Sequence, residues 1–577
     1  MKKLVLLLCI GLWINTQAQE PIKELTVYTA KRIITMENAL PDATAVAVAD
    51  GKIVAVGTLE TLKAWTDNIK VTYDKTFENK IIMPGFIDTH VHPSLPAILT
   101  QFDFIAPEAW QLPTGNFPAA LTHEEYVTQL QTKANAFFKK EKDKNIPYIT
   151  WGYHQLWHGD VYRDKLDELF PKKPVLLWHR SFHEVVLNTA ALKLLDMKES
   201  DVAGDIHIKY DKGLFSELGA KKIFTHEKLK FMFSPERYGA GMDNFVKMLH
   251  MAGVTSAMDM GVGIFGNPDE EIGLIHKSMD RDDVATRIVL TPIITYFMVA
   301  GIDQDTAYKK IQEWTKASTP NVSFDDHFKL MLDGAIYSGL SQFNYPGYID
   351  GHIGAWLAPT ETTYDWAEYF WNKGFQLHFH TNGDMSTDVL IDHISRMQKQ
   401  HPRTDHRTAL EHFAYATESQ LKHLAALDAQ ISANPYYQFM LADIYAEKWL
   451  GEDRARNMVP LGNAKKYGLN IGFHSDCPMA PLSPLTSVWT AVNRETINGN
   501  ANYESQKLSV YDALRAITID AAYIMRKEHE IGSIVAGKKA DFVILEEDPL
   551  KVNPTKLKDI EIWGTVFQGK VFPIDKP

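Results

Sequence analysis

The sequence predicts an α/β fold in which eight parallel strands and their helices form a barrel, accompanied by a smaller β domain built from both chain ends. Eight apolar, strand-like runs alternate with helical patterns along the middle of the chain, which is typical of parallel βα units in an open sheet or a barrel. A count of eight favours the closed (β/α)8 barrel. The 577 residues are 45% hydrophobic and 23% charged, which provides a large core and excludes a mostly disordered chain.

The eight predicted barrel strands lie between residues 81 and 476. A helix between the first two is indicated by Phe245, Met248, Leu249 and Ala252, which share one helix face and are followed by Gly253, a typical helix end. The predicted strands are Ile81 to Asp88, Val254 to Asp259, Arg287 to Pro292, Phe328 to Asp333, Phe375 to His380, Thr408 to His412, Gln430 to Asn434, and Leu469 to Asp476.

Both ends of the chain have the pattern of short β-strands. Val46 and Val48 alternate with small residues, and Asp50-Gly51 is a typical hairpin turn. A second β-rich segment follows Gly532. Because neither end holds enough core to be stable alone, we expect residues 20–80 and 532–577 to form one composite β domain around a barrel of residues 81–531.

The segment between the first two predicted strands is too long to be a loop. Connections in βα units usually have about two to six residues, whereas residues 93–235 lie between these strands. We therefore predict an insertion subdomain within the barrel. It would lie over the carboxyl end of the first strand, where barrel enzymes place their chemistry.

The first 18 residues have the pattern of a signal peptide. Lys2 and Lys3 precede the apolar run Leu4 to Ile14, and Thr16-Gln17-Ala18 offers small residues at the cleavage spacing. The apolar run is too short to span a bilayer as a helix. We expect export, to the periplasm or as a secreted protein, with Cys477 left as the single cysteine and no intrachain disulfide.

The charge balance favours small-molecule partners. The chain has 60 Lys and Arg against 72 Asp and Glu, a formal net charge of −12. It therefore lacks the excess of positive charge that is typical of proteins that bind nucleic acid. No second apolar stretch reaches membrane-spanning length. We therefore expect a small-molecule substrate, no nucleic-acid partner and no stable membrane span, and a homo-oligomer is compatible with the sequence.

Polar residues stand at the carboxyl ends of several predicted strands. His90 and His92 end the first strand, and alternate residues of an extended chain face the same side, so both rings can reach one point. A histidine bonded only to backbone is the ordinary alternative for any one residue, but coincidence at one end of a barrel favours a common site. The later strand ends carry Lys329, His380, His412 and Asp476.

The donor types favour a catalytic metal site. Imidazole and carboxylate groups are good ligands for divalent ions such as zinc, and the absence of paired cysteines argues against a structural thiolate site. A bound ion lowers the pKa of water from 15.7 to about 7. Asp476 could hold such a water, take its proton and deliver the proton to a leaving nitrogen.

These residues and their neighbours resemble a known family. In order and spacing they resemble the amidohydrolase superfamily, and within it the amidohydrolase 3 branch, which includes proteins similar to N-substituted formamide deformylase. The superfamily resemblance rests on Pro84 to Pro93, Lys329, His380, Glu411-His412, Ser475-Asp476 and Gly532 to Phe542. The branch resemblance rests on Phe328 to Gly334, His380 to Asp384, and His183 followed by Asn188 to Leu192.

The resemblance implies a distorted TIM-like barrel with an attached β-sandwich and one or two divalent metals, usually zinc. It implies that His90 and His92 bind a buried metal and that His380 and His412 bind an exposed one. Asp476 would be both a ligand and the proton shuttle.

Lys329 is the unusual member of the predicted set, because a protonated ammonium group cannot bind a cation. In related two-metal enzymes the matching lysine is carboxylated by carbon dioxide, so we hypothesise that Lys329 becomes an anionic bridge between two metals. The alternative is a one-metal site in which Lys329 pairs with Asp333 or Asp476.

Two more histidines lie close to the predicted ligands in the sequence. His378 and His474 precede His380 and Asp476 by two residues, so each could replace a ligand or simply face the same cavity. After His380 the sequence departs from the family pattern at Thr381-Asn382. The shape of the pocket is therefore not predicted by the resemblance.

We expect an exported metal-dependent amidohydrolase that hydrolyses the amide-type C–N bond of an N-acyl, N-formyl or cyclic amide. His183 would bind the substrate carbonyl, unless it belongs to a surface loop. One alternative keeps the site and cleaves an ester or lactone. Another is a non-catalytic metal- or ligand-binding protein with the same fold, which would have no need for Asp476.

Overall fold

A computed structural model describes residues 22–574 apart from Asn68, Glu217 and Phe265. The predicted signal peptide, residues 1–18, lies outside the described residues. Within them, every helix is too short or too polar to cross a bilayer.

Eight parallel strands surround the centre of the molecule. In chain order they are β1 (Phe86–Val91), β2 (Val254–Val262), β3 (Arg287–Pro292), β4 (His327–Met331), β5 (Gln376–Thr381), β6 (Ala409–His412), β7 (Gln430–Ala433) and β8 (Asn470–Phe473). Each corresponds to one predicted run, and helices follow the strands along the chain. The helices are Pro235–Met251, Pro268–Met279, Ile294–Val299, Gln304–Thr315, Thr360–Asn372, Asp384–Gln400, Glu418–Ala426, Tyr436–Ile444, Glu452–Arg456, Leu461–Lys466, Pro484–Asn493, Val510–Arg515 and Ile519–Ile524.

The eight strands belong to two parallel sheets rather than to one continuous ladder. Strands β1, β2 and β3 pair in that order, and β4 to β8 pair in chain order. The sheet edges meet at single parallel bridges, Ile293 with Lys329 and Val91 with Cys477. The short strand Val322–Ser323 pairs with the edge of β3. For this reason β4 contacts the chain on this side only after β3 has ended. The predicted continuous closed barrel is therefore interrupted at two seams.

The first predicted strand, Ile81 to Asp88, is two strands in the structure. Ile81–Pro84 pairs with the chain ends, and β1 begins only at Phe86. Gly85 separates them, and a Cβ at this position would collide with the side chain of Thr255. A single apolar run therefore supplies one strand to each of two sheets, which its hydrophobic pattern does not reveal.

Both chain ends contribute to one eight-stranded sheet. Ile81–Pro84 joins the two ends, because it pairs with Glu24–Ile34 on one side and with Phe542–Leu545 on the other. A β-sandwich requires two packed layers, and it stays a prediction. The other strands of this sheet are Asp42–Ala49, Lys52–Gly57, Lys70–Asp74, Ile562–Phe567 and Lys570–Pro573.

The long segment after β1 carries its own sheet. Its helix His123–Lys140 begins at a capping box formed by Thr122 and Glu125, which satisfies backbone N–H groups at the helix start. A separate apolar cluster lies between this helix and the sheet. The six strands are Asp103–Phe104, Tyr148–Tyr153, Val175–His179, Glu184–Leu187, Ile208–Lys209 and Leu214–Ser216. The remaining elements are the hairpin Trp110–Leu112 with Gly115–Phe117 and the helices Ser94–Leu99, Gln155–His158, Arg163–Leu169, Thr189–Leu194 and Leu218–Phe224.

A buried ion pair joins the barrel to the terminal sheet. Arg287 in β3 lies 2.6 Å from the carboxylate of Asp541, and both side chains are less than a tenth exposed. The second oxygen of Asp541 accepts the backbone N–H of Gln568 at 2.8 Å. Removing one partner of such a pair leaves the other as an uncompensated buried charge.

We predict that Asp541→Asn lowers the free energy of unfolding of the terminal sheet by about 3–5 kcal/mol, because it leaves the Arg287 charge buried and unpaired. The measurement is the shift of the urea midpoint relative to the parent protein. Glu24→Gln is the matched control: it breaks the pair between Glu24 and Lys70, which is exposed on both sides, and should change stability by no more than about 1 kcal/mol. Equal shifts for the two variants would contradict the prediction.

Candidate functional site

All seven predicted site residues line one cavity of about 300 Å³. The cavity lies where β1, β4, β5 and β6 end and where the chain leaves β8, and the insertion forms part of its wall. His183 belongs to that wall and lies in the loop between the insertion strands Val175–His179 and Glu184–Leu187. Its role as a substrate-binding residue stays a prediction. The predicted residues found together are His90, His92, His183, Lys329, His380, His412 and Asp476.

The seam between β1 and β8 positions Asp476. Its backbone N–H donates to the carbonyl of His90 at 2.9 Å, and the N–H of His92 donates to the carbonyl of Cys477 at 3.1 Å. Asp476 has a φ of 57° and His412 a φ of 78°, which are uncommon for residues with a side chain and occur at functional sites. These contacts place the aspartate beside both histidines of β1.

Three donor atoms converge at the end of β1. The Nε2 atoms of His90 and His92 are 3.2 Å apart, and Asp476 Oδ1 lies 3.4 Å from the first and 3.2 Å from the second. Ligand atoms bound at about 2.0–2.2 Å to one tetrahedral ion are about 3.3–3.6 Å apart. The spacing of these donors therefore fits a divalent metal.

Glu411 in β6 determines which nitrogen of His90 is available. Its buried carboxylate lies 2.8 Å from His90 Nδ1 and 2.7 Å from His378 Nδ1. A carboxylate only accepts hydrogen bonds, so both Nδ1 atoms carry protons and His90 Nε2 presents its lone pair to the donor cluster. His378 Nε2 can then accept from His327 Nδ1 at 3.0 Å. The hydrogen bond from His378 thus helps to hold the Glu411 carboxylate in place.

Tyr437 connects two of the predicted ligands. Its hydroxyl lies 3.1 Å from His412 Nδ1 and donates to Asp476 Oδ2 at 3.2 Å. Since the phenol has one proton and gives it to the carboxylate, the His412 contact requires a proton on Nδ1. His412 Nε2 is buried and has no hydrogen-bond partner within the described residues, so its lone pair is free.

Lys329 is buried, and its amine has no hydrogen-bond partner among the described residues. Burial lowers the pKa of Lys329 to about 8, although Glu411 and Asp476 act in the opposite direction. Asp333, its suggested partner, instead accepts the backbone N–H groups of Gln342, Asn382 and Gly383. In the described part of the chain, Lys329 forms no ion pair with either aspartate.

Asn382 restricts how His380 can act. The amide NH₂ of Asn382 lies 3.0 Å from His380 Nε2 and donates to the carbonyl of Gly334 at 3.2 Å. Because Nε2 accepts this bond, Nδ1 is the nitrogen of His380 that remains for a metal. The departure from the family pattern at this position therefore changes the surroundings of a predicted ligand.

His474 offers a second donor group. Its ring stacks on that of His90 at 4.7 Å, and both of its nitrogens are buried without a partner among the described residues. Burial lowers the pKa of His474 to about 4. One nitrogen each of His90, His412 and His474 lie within 4.8 Å of one another. The orphaned nitrogens indicate that this region is suited to a cation.

Burial also keeps the histidines in the form that binds metals. It holds the pKa values of His90, His380 and His412 well below the usual value, so their rings are neutral at pH 7. Burial raises the pKa of Cys477 well above its usual value, which makes this thiol inert rather than nucleophilic.

Glu411, Tyr437 and Asn382 position the predicted ligands, which is a role that their local sequence does not reveal. Each is adjacent or close in sequence to a predicted ligand or to a strand end, which was the available signal. Their partners are distant along the chain: Glu411 contacts His90 across 321 positions. Such contacts follow from the arrangement of strands and not from local pattern.

Histidines and an aspartate gathered at the ends of parallel strands are typical of metal-dependent hydrolases. The amidohydrolase family model matches residues 77–573. The chain belongs to the amidohydrolase family, in the amidohydrolase 3 branch that the sequence predicted, and this prediction is confirmed.

Individual relatives are similar over most of their length. The chain is 25% identical to N-substituted formamide deformylase of Arthrobacter pascens, covering 91% of this chain and 94% of that one. It is 24% identical to the putative amidohydrolase YtcJ of Bacillus subtilis (strain 168), covering 91% and 95%. A crystal structure of an uncharacterized metal-dependent hydrolase from Pyrococcus horikoshii shares the fold, with a TM-score of 0.68, 20% identity and coverage of 92% and 99%.

We predict that Tyr437→Phe weakens metal binding by about 10- to 100-fold, because loss of the hydroxyl frees both His412 and Asp476 to reorient. Competition with a chromogenic zinc chelator measures the affinity directly. The control is Tyr436→Phe, since this neighbouring tyrosine lines a different surface cleft. Unchanged zinc affinity in Tyr437→Phe would show that its hydroxyl does not position the ligands.

Proposed function

We propose that the protein is an exported, zinc-dependent hydrolase of amide-type C–N bonds in acyclic or cyclic amides. The observation that carries the proposal is the meeting of seven polar residues from distant parts of the chain in one cavity. Family membership supports hydrolysis of C–N bonds and use of a divalent metal. Export is proposed on the N-terminal pattern alone.

The metal ligands in this proposal are His90, His92, His380, His412 and Asp476. Their donor atoms are neutral imidazole nitrogens and a carboxylate, which suit zinc. Once bound, the metal would supply a lowered water pKa and a polarised carbonyl. The name of the Arthrobacter relative, a deformylase of N-substituted formamides, supports an amide substrate.

Asp476 performs the proton transfer in the proposed reaction. It contacts His90 and His92 through Oδ1 and accepts from Tyr437 through Oδ2, so its carboxylate is held at the cavity surface in one orientation. It takes a proton from the attacking water and returns it to the leaving nitrogen. His183, from the insertion, binds the substrate carbonyl.

We predict that chelation abolishes hydrolysis of N-acyl and N-formyl amides and that zinc restores it. Asp476→Asn should lower kcat by at least about 100-fold, because the amide cannot accept the proton. Zinc content measured alongside separates loss of chemistry from loss of metal. A screen that includes esters and lactones tests the alternative bond types. Full activity in a metal-free sample would refute the proposal, and equal kcat for the variant and the parent would favour a binding protein.

Carboxylation of Lys329 is part of the two-metal form of this proposal. The amine is buried, lacks a partner and has a lowered pKa, and the nucleophile for carbon dioxide is the neutral amine. Formation of the carbamate bonds the nitrogen lone pair to carbon and releases one proton.

We predict that the zinc-loaded protein carries one added carbon dioxide on Lys329. Native mass spectrometry with isotopically labelled bicarbonate detects the added mass, and Lys329→Met is the control that cannot carry it. A bare amine in the fully metal-loaded protein would contradict the two-metal form and favour the one-metal site.

A further inference from the structure

We propose that the substrate is small and uncharged on both sides of the scissile amide, so that N-acyl amino acids and peptides bearing a carboxylate beside the amide are excluded. This inference rests on the proposed amide hydrolysis and names the substrate class of the same site. It is carried by the composition of the cavity wall outside the donor cluster.

Most of that wall is apolar. The side chains come from several parts of the fold, including the insertion, strand β2 and the segments after β3, β4 and β8. Their only chemical contribution to a ligand is surface that excludes water. The apolar wall consists of Leu95, Phe182, Met260, Ile264, Ile293, Met331, Ala335, Ile336 and Met479.

The remaining wall is polar. It consists of Ser181, Tyr337, Asn382 and Tyr437, together with His183. These groups can orient an amide by hydrogen bonds, but none is a permanent cation. Among the described residues that line the cavity, the only Lys, Arg, Asp or Glu side chains are Lys329 and Asp476. Both belong to the donor cluster, where the proposed carboxylation removes the positive charge of Lys329.

Arg180 lies just behind this wall and does not supply the missing cation. Its guanidinium sits over the ring of Tyr337 and donates to the carbonyl of Met479 at 2.7 Å. Glu108 lies 2.5 Å away, and both charged side chains are buried. The arginine charge is therefore already balanced and is separated from the cavity by two lining residues.

An anionic substrate would consequently bury a carboxylate against Met, Ile and Phe side chains. Burying a charge without a partner costs several kcal/mol, so discrimination should reach about 100-fold or more. The cavity volume of about 300 Å³ is at the lower end of the range for ligand pockets, about 300–1,000 Å³. A small, neutral, apolar N-substituted amide satisfies both constraints.

The test compares three N-formyl compounds that share a benzylamine unit. N-formylbenzylamine is neutral, N-formylphenylglycinamide is neutral and larger, and N-formylphenylglycine has the same size as the amide but carries a carboxylate. The measurements on the zinc-loaded protein are kcat/KM by amine release and Kd by calorimetry. Comparing the last two compounds isolates charge from size.

We expect kcat/KM for N-formylphenylglycine to be at least about 100-fold below that for the phenylglycinamide compound, with a similar ratio in Kd. A value within tenfold, or tighter binding of the carboxylate, would overturn the inference while leaving amide hydrolysis intact. Binding of the neutral compounds without turnover of any of the three would count against the proposed function alone, because the affinity ratio still reports on charge. Failure of both neutral compounds to bind would overturn the inference.

A charge added at the cavity rim provides a second measurement. Ile264 lines the cavity and is 36% exposed, so a polar side chain can be accommodated there. Ile264→Lys should raise the kcat/KM of the carboxylate compound relative to the neutral amide by about tenfold, and Ile264→Gln should leave that ratio unchanged. The same ratio in both variants would contradict the role assigned to charge.

Discussion

The buried carboxylate of Glu411 is the group on which the candidate centre depends. It accepts from His90 on one side and His378 on the other, and it joins β6 to β1 and β5. Burying an ionised carboxylate is costly, and here both of its oxygens are paired with histidines. That pairing also determines the free nitrogen of His90, so the same contact that stabilises the interior prepares the metal site.

The interruption between the two parallel sheets has a functional consequence. Asp476 lies beyond the end of β8 and is held against β1 by one backbone hydrogen bond to His90. Because pairing at this seam is a single bridge rather than a ladder, the chain can turn there into a left-handed conformation. The aspartate then faces His90 and His92 instead of continuing the strand, and Tyr437, in the helix Tyr436–Ile444 that follows β7, donates to its second oxygen.

The cavity divides into a polar floor and an apolar wall, and different parts of the chain supply them. The floor comes from strand ends, whose positions are set by backbone pairing. The wall comes mainly from loops and the insertion, which contributes Ser181, Phe182 and His183. This arrangement separates bond cleavage from substrate choice, so changes in the wall can alter the substrate without disturbing the ligands.

The alternation of strands and helices, the residue types at the strand ends and the family could be read from the sequence, because these depend on local pattern and on motif spacing. Each predicted run corresponds to one of the eight parallel strands, and the seven predicted site residues line one cavity. The split of the first run at Gly85, the seams between the sheets and the absence of an ion pair at Lys329 among the described residues became evident only from the folded chain. So did the contacts of Glu411, Tyr437 and Asn382. Each of these features depends on which distant segments become neighbours, and hydrophobic periodicity carries no information about a hydrogen bond between side chains hundreds of residues apart.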